Sequence, residues 1–271
     1  MTPVQTIESL DDPRVASYRN LRERSLRDEG VFITEGSLLA ERLLQSRFPV
    51  ESLFVTVENA PRFAEVLQER VPLYVAEAAL MRQIVGFDFH RGVLGLGRRL
   101  PFPDAISTVE QLWLYSQQLQ LLACPSTETA ENLGLMLRSA AAFGVDAVLL
   151  PTDGADPLSR RCLRQSMGSA LSLSVARSVN LWRELYTLRQ SHSLRLVAAV
   201  AGGNESVVSL DKFTWPPRAV LIVGNEYSGL DEAWLERCDD RVTIPLAPGC
   251  DSLNVAVATG VFLHHMRTAH A

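Results

Sequence analysis

No stretch of about 18 or more uninterrupted apolar residues occurs, so a transmembrane helix is not expected. The opening segment MTPVQTIESLDDPRV has no basic start followed by an apolar run. A secretory signal is therefore not expected, and the cytoplasm is the expected location. The four cysteines, Cys124, Cys162, Cys238 and Cys250, form no C-x-x-C pair. No structural zinc or other metal site is expected, and free thiols are expected rather than disulfides. Internal repeats and low-complexity tracts are missing too. Lysine is nearly so: Lys212 is the only one among 26 basic residues, and the positive charge is almost all guanidinium.

What is present is ordinary globular composition, 47% apolar and 21% charged, over 271 residues. That length suits two domains. The net charge of −5 argues mildly against a nucleic-acid partner, but distribution matters more than the sum. Arg14, Arg19, Arg22, Arg24 and Arg27 crowd one stretch against a single Glu23, and Arg160, Arg161 and Arg164 form a second cluster. Guanidinium pairs bidentately with phosphate and stacks on bases, so both clusters suit RNA. A solvated helix face accounts for them equally well.

Along the first hundred residues helical and strand-like segments alternate. The pattern predicts a helix over Ser37–Gln45, a strand over Leu53–Val57, a helix from Pro61 to Arg70, and a strand over Gly92–Leu96. Prolines 101 and 103 mark a linker at 98–108. The predicted division is therefore 1–100 and 109–271. In the second part the strands predicted are Leu119–Cys124, Asp146–Leu150, Leu194–Ala201, Ala219–Gly224 and Arg241–Pro245. Helices are expected at Asn132–Phe143, Asp156–Ser169, Leu181–Gln190 and Asn254–Arg267. Such alternation implies an α/β fold, a parallel sheet covered on both faces, with ligands bound beyond the carboxyl ends of its strands.

Three segments that follow strands carry unusual residue sets. The first is Asn132-Leu-Gly-Leu-Met-Leu-Arg138, continuing to Phe143-Gly144. Asn132 sits where a capping amide is useful, and Arg138 interrupts an apolar helix, so it meets an anion or reaches solvent. The second, Gly224-Asn-Glu226-Tyr-Ser-Gly229, follows an apolar strand. It lacks the middle glycine of a dinucleotide fingerprint and the Gly-Lys-Ser/Thr of a P-loop. The third, Ile244-Pro-Leu246-Ala-Pro-Gly-Cys-Asp-Ser252-Leu253-Asn254, ends a strand and opens the last helix, whose free N–H groups attract polar partners. Taken singly, an ordinary cap, an exposed arginine and a plain strand-to-helix turn explain these segments.

In this order, N-x-G-x-x-x-R-x-x-x-x-F-G, G-x-E-x-x-G-L and I-P-x(6)-S-L-N-V-A-V-A resemble the SpoU/TrmH class of the SPOUT methyltransferases. The resemblance covers about residues 119–267, with Arg164-Gln-Ser-Met-Gly-Ser169 matching a further segment. More loosely, Phe32-Ile-Thr-Glu-Gly36, Leu38–Leu44 and His90-Arg-Gly-Val-Leu94 resemble a small α/β RNA-binding domain similar to a ribosomal protein. One departure stands out: the usual Asp-Pro at the start of the first motif is replaced by Thr129-Ala130, which puts the geometry of that loop in question.

The resemblance implies a parallel-sheet SPOUT domain with a trefoil knot, a homodimer, and an S-adenosylmethionine-dependent 2′-O-methyltransferase of RNA, ribosomal rather than transfer RNA. It implies a catalytic set of Asn132, Arg138, Glu226, Ser252 and Asn254, with cofactor contacts at Gly224, Ile244, Leu246 and Leu253. Arginine stays protonated, so Arg138 is expected to stabilise a forming alkoxide and hold a phosphate, with Glu226 orienting it or accepting the proton through water. RNA contacts are expected at Arg14, Arg19, Arg22, Arg24, Arg160 and Arg164. The competing readings are a transfer-RNA enzyme, an RNA-binding protein without catalysis, and a nucleotide-dependent oxidoreductase. For the last, Gly95-Leu-Gly97 runs into arginines and prolines and fails the fingerprint.

Overall fold

Strands buried on both faces must be apolar at nearly every position. Leu119–Ala123 is buried at all five residues and apolar at four of five, with Gln120 the exception, and Arg218–Ile222 is apolar at four of five. These two strands lie side by side within a seven-stranded parallel sheet. A computed structural model of the chain describes residues 4–21, 26–67, 71–202 and 206–269. It divides into two units, residues 1–101 with 158–172, and residues 102–157 with 173–271.

The first unit begins with β1 (Val4–Thr6), β2 (Val31–Glu35), α1 (Ser37–Leu44), β3 (Val50–Thr56), α2 (Ala60–Val66), β4 (Leu73–Ala76), α3 (Ala78–Val85) and β5 (Val93–Arg98). Its sheet runs β1-β4-β3-β5-β2, with β5 antiparallel to both neighbours and the remaining pairs parallel. Two clusters form its core, one around Tyr18, Phe54 and Leu94, the other around Leu53, Phe63 and Val93.

The second unit opens with α4 (Ala105–Trp113), β6 (Leu119–Ala123), α5 (Ala130–Phe143) and β7 (Ala147–Pro151). The chain then gives α6 (Arg160–Gln165) to the first unit, where it packs against β2. It returns through β8 (Val175–Ser178), α7 (Leu181–His192), β9 (Arg195–Val200), β10 (Val208–Ser209), β11 (Arg218–Ile222), α8 (Glu232–Leu235), β12 (Asp240–Thr243) and α9 (Val255–Thr268). The sheet order is β10-β12-β9-β11-β6-β7-β8, every pair parallel. Leu121, Leu149 and Val220 pack with Val109 of α4 and Leu185 of α7. The two helices α5 and α9 pack on each other and add nothing to that cluster. They cover the opposite face, toward which the alternate positions Leu122, Val148 and Leu221 point.

Several elements differ from the sequence pattern, which predicts none of β1, β2, β4, α3, β10 and α8. The linker ends earlier than 108, because Asp104 caps α4: its Oδ1 accepts from Ser107 N–H at 2.7 Å. The helix expected over 156–169 is only α6, started by the Ser159 cap and stopped by Met167 and Gly168, both at positive φ. The strand β8 was not expected at all. Among the described residues no helix is long and apolar enough to cross a membrane.

Candidate active site

Beyond β11 the chain makes a small hairpin in which Asn225 and Gly229 exchange both backbone hydrogen bonds, at 2.9 and 3.0 Å. Asn225 also locks it from inside and outside. Its Oδ1 accepts from Tyr227 N–H at 2.8 Å, and its Nδ2 donates to Glu128 Oε1 at 2.9 Å. The fold presses Gly224 onto Gly229: a Cβ on Gly224 would lie 2.1 Å from the Gly229 carbonyl carbon. Only glycine allows that approach.

The hairpin holds Glu226 against the first turn of α5. Glu226 Oε1 accepts from Asn132 Nδ2 at 2.8 Å and from Thr129 Oγ1 at 2.9 Å. Its Oε2 is buried and has no partner among the described residues. Burial pushes the carboxyl up, but the hydrogen bonds from Asn132, its own backbone and Thr129 together outweigh burial. The Glu226 carboxyl therefore titrates below the ordinary range, and a carboxylate is favoured at neutral pH. Asn132 Oδ1 accepts from Asn254 Nδ2 at 3.2 Å. Asn254 Oδ1 in turn caps α9, accepting from the N–H groups of Ala256 and Val257 at 2.9 and 3.4 Å. One hydrogen-bonded chain thus joins all three sequence motifs.

Beside this chain lies a cleft of about 520 Å³, within the range of small-molecule sites. It sits beyond the carboxyl ends of β9, β11 and β12, where parallel sheets bind ligands. Gly224, Glu226, Ile244, Leu246, Ser252 and Leu253 all line it, and among the described residues its only charged lining members are Glu226 and Asp251. Among the described residues no group of three or more His, Cys, Asp or Glu is arranged to hold a metal ion.

Arg138 stands apart from this assembly. It lies about 9 Å further along α5 than Asn132, exposed, with no hydrogen bond or ion pair among the described residues. Glu226 is oriented by Asn132 and Thr129, not by Arg138. Thr129, where the family pattern has Asp, joins the same assembly. It caps α5, its Oγ1 accepting from Asn132 N–H at 3.3 Å, and the same hydroxyl donates to Glu226. The signal for the cap, a threonine just before an apolar helical run, was visible; its second bond was not, because Glu226 is 97 residues away.

The arginine clusters are largely tied down. Arg14 bonds to Asp12, Gln5 and the Thr6 carbonyl, and Arg19 donates to the Asp12 carbonyl at 2.8 Å. Arg22 and Arg24 lie outside the described residues. Arg160 pairs with buried Glu35, bonds the Leu21 carbonyl and lies over the Phe87 ring. Arg164 approaches Glu35 at 3.9 Å and stays exposed.

Residues 120–264 match the SpoU rRNA Methylase family. An uncharacterized tRNA/rRNA methyltransferase of Mycobacterium tuberculosis is 37% identical over 282 residues, covering 98% of this chain and 93% of that protein. The 23S rRNA (guanosine-2′-O-)-methyltransferase of Escherichia coli is 30% identical over 237 residues, 88% of each chain. Among solved structures, an RNA 2′-O ribose methyltransferase superposes with a TM-score of 0.75 at 27% identity over 99% of both chains. An AdoMet-bound rRNA methyltransferase from Sinorhizobium meliloti shares the fold, with a TM-score of 0.80 at 24% identity over 98% of both chains.

Proposed function

The chain belongs to the SpoU rRNA methylase family and is an RNA methyltransferase, and we propose that it moves a methyl group from S-adenosylmethionine to a ribose 2′-hydroxyl of ribosomal RNA. The observation that carries this reading is the chain Glu226–Asn132–Asn254 set beside the cleft. The cleft suits the cofactor: Gly224, Ile244, Leu246 and Leu253 would hold it through backbone and apolar contact, and the acidic lining groups suit a cationic ligand. Bound there, the cofactor supplies an electrophilic methyl group.

A ribose hydroxyl is a weak nucleophile and must shed its proton during attack. Glu226 is held as a carboxylate whose buried Oε2 has no partner among the described residues, so in this reading it is the acceptor for the hydroxyl proton, taken up through water as the methyl group leaves a neutral thioether. Asn132, Thr129 and Asn254 fix its direction, and Ser252 lines the same opening. Arg138, which lies outside the cleft, is assigned in this reading to the substrate's adjoining phosphate and, as a fixed cation, to the developing alkoxide, since guanidinium does not act as a base.

Residues 1–100 form the RNA-binding part and 109–271 the catalytic part of this reading. RNA contacts are assigned to the arginine-rich stretches, Arg14, Arg19, Arg22 and Arg24 in one and Arg160 and Arg164 in the other. Ribosomal RNA is favoured by the described activity of the Escherichia coli relative. Transfer RNA is the second reading, because the Mycobacterium tuberculosis relative is described for both. A trefoil knot is the topology this family reading carries for the C-terminal segment, and the crossing from β11 over β9 to β12 is compatible with it. A homodimer is supported by exposed Leu135 on α5 and Val257 and Val261 on α9. The cytoplasm is the compartment in which this activity meets its substrate.

The test is transfer of labelled methyl from S-adenosylmethionine to unmodified ribosomal and transfer RNA, with Arg138→Ala beside the wild type. Label recovered as a 2′-O-methyl nucleotide from ribosomal RNA, and lost in the variant, is the expected result. Label in transfer RNA alone would select the second reading. A chain that binds no cofactor would overturn the proposal.

A further inference from the structure

Tyr227 is 89% exposed, yet it stands on a hairpin closed by backbone and side-chain hydrogen bonds. Its backbone N–H is held by Asn225 Oδ1 at 2.8 Å, and the next N–H, of Ser228, reaches the same oxygen at 3.4 Å. The Asn225–Gly229 pair closes the hairpin, and Gly224 is packed too tightly onto Gly229 for the loop to slide. The neighbouring Glu226 turns inward to Asn132 and Thr129. Tyr227 belongs to the lining of the cleft and stands at its solvent side, so a large flat ring is presented from a stiff base next to the carboxylate.

The charges around this ring restrict what meets it. Among the described residues the cleft lining holds no Lys, Arg or His, and its charged members are Glu226 and Asp251. Glu128 adds a third carboxylate, bonded to the same hairpin through Asn225. Such a rim repels phosphate. It accepts the uncharged, planar part of a nucleotide, whose amino groups are donors and whose face stacks on an aromatic ring.

We infer that Tyr227 is a stacking platform for a nucleobase of the RNA substrate at or beside the methylated ribose. This rests on the methyltransferase reading of the cleft. The phosphates of the same strand then lie away from the acidic rim. The hairpin holds the base without closing over it, and the ring discriminates little between bases, because each has a π face.

The experiment compares wild type with Tyr227→Leu, Tyr227→Ala, Tyr227→Phe and Tyr227→Trp. Affinity for in-vitro-transcribed, unmodified 23S ribosomal RNA is measured by filter binding in the presence of S-adenosylhomocysteine. Affinity for S-adenosylmethionine is measured by calorimetry, and assembly state by light scattering. Loss of one base–aromatic stack predicts an RNA Kd raised about 5- to 100-fold in Tyr227→Leu and Tyr227→Ala. Tyr227→Phe and Tyr227→Trp are expected to restore wild-type RNA affinity, which a merely space-filling role does not predict. Cofactor affinity and assembly state are expected to be the same in all five proteins. Unchanged RNA affinity in Tyr227→Leu would overturn the inference while leaving the methyltransferase reading intact. A change confined to cofactor affinity would place the ring over the cofactor instead, and a changed assembly state would place it in a contact between copies. A wild type that binds RNA but transfers no methyl would sink the methyltransferase reading, with the stacking result still read from binding. A wild type that binds no RNA would overturn both.

Discussion

Asn132 Nδ2 donates to Glu226 Oε1 across 2.8 Å, joining residues 94 positions apart. The bond is charge-assisted, and the same amide accepts from Asn254. A hydrogen bond to a charged group contributes about 1.5–3 kcal/mol. Asn132→Ala is therefore expected to lower kcat/KM for methyl transfer by roughly 10- to 100-fold. Asn132→Asp sets a second carboxylate against Glu226 and should cost at least as much. Wild-type rates in both variants, with folding verified by circular dichroism, would remove this chain from the chemistry.

Thr129 performs two tasks with one hydroxyl, capping α5 and donating to Glu226. Thr129→Val loses both, and Thr129→Ser keeps both. The lost cap is expected to lower stability in urea by about 1 kcal/mol. The lost donor acts on pH dependence. The folded-state value of Glu226 lies below its unfolded value, so its contribution is present above the unfolded value and fades as pH falls through the folded one. In Thr129→Val that fading starts at higher pH. The acid-unfolding midpoint should move upward, with Thr129→Ser matching the wild type.

Gly224→Ala forces a methyl group into the carbonyl of Gly229, where the separation would be 2.1 Å. The hairpin must open, and the cleft wall opens with it. Calorimetry with S-adenosylmethionine is expected to show binding weakened by at least about tenfold, an effect of about 1.4 kcal/mol. Wild-type affinity would mean that the hairpin does not shape the cofactor site.

Thiol chemistry should separate the four cysteines. Burial pushes the Cys124 thiol to about 12. The Cys238 thiol also reaches about 12, through burial first and then the charge of Asp239. Cys162 is buried, whereas Cys250 is exposed. In mildly alkaline buffer an alkylating reagent is expected to label Cys250 in the folded protein and the other three only after unfolding, as peptide mass spectrometry would show. Rapid labelling of Cys124 in the folded protein would contradict its buried placement.

Glu35 is 6% exposed and faces Arg160 and Arg164, holding the segment 158–172 to the strand β2. Glu35→Ala leaves Arg160 without its carboxylate. Breaking such a pair from one side costs about 3 kcal/mol. The expected result is an earlier urea transition in the first unit, followed by Phe-to-solvent exposure or by hydrogen exchange of β2. No change in that transition would show the pair to be incidental.

Much of the fold was legible because burial leaves a periodic trace. Mostly apolar runs of strand length, such as Leu119–Ala123 and Ala219–Ile222, fit strands covered on both faces, and both are such strands. The strand β8 left no such trace. Its Val-Ala-Arg-Ser sequence reads as a loop, since nothing local shows that the Arg177 guanidinium is satisfied by the carbonyls of Pro151, Thr152 and Gly154. Likewise α4 was hidden behind Pro101 and Pro103, although the Asp104 cap was present in the sequence.

By itself the sequence determined the elements, their apolar faces and the residue types at the three loops. Those follow from side-chain periodicity and capping chemistry, which are local. Only the tertiary structure decided that Glu226, Asn132 and Asn254 form one hydrogen-bonded chain, that Thr129 joins it, and that Arg138 stays clear of it. Those relations depend on the order of parallel strands, which brings together groups 94 to 122 residues apart. A hydrogen bond acts over about 3 Å, and no period along the chain records which distant loops will meet at that range.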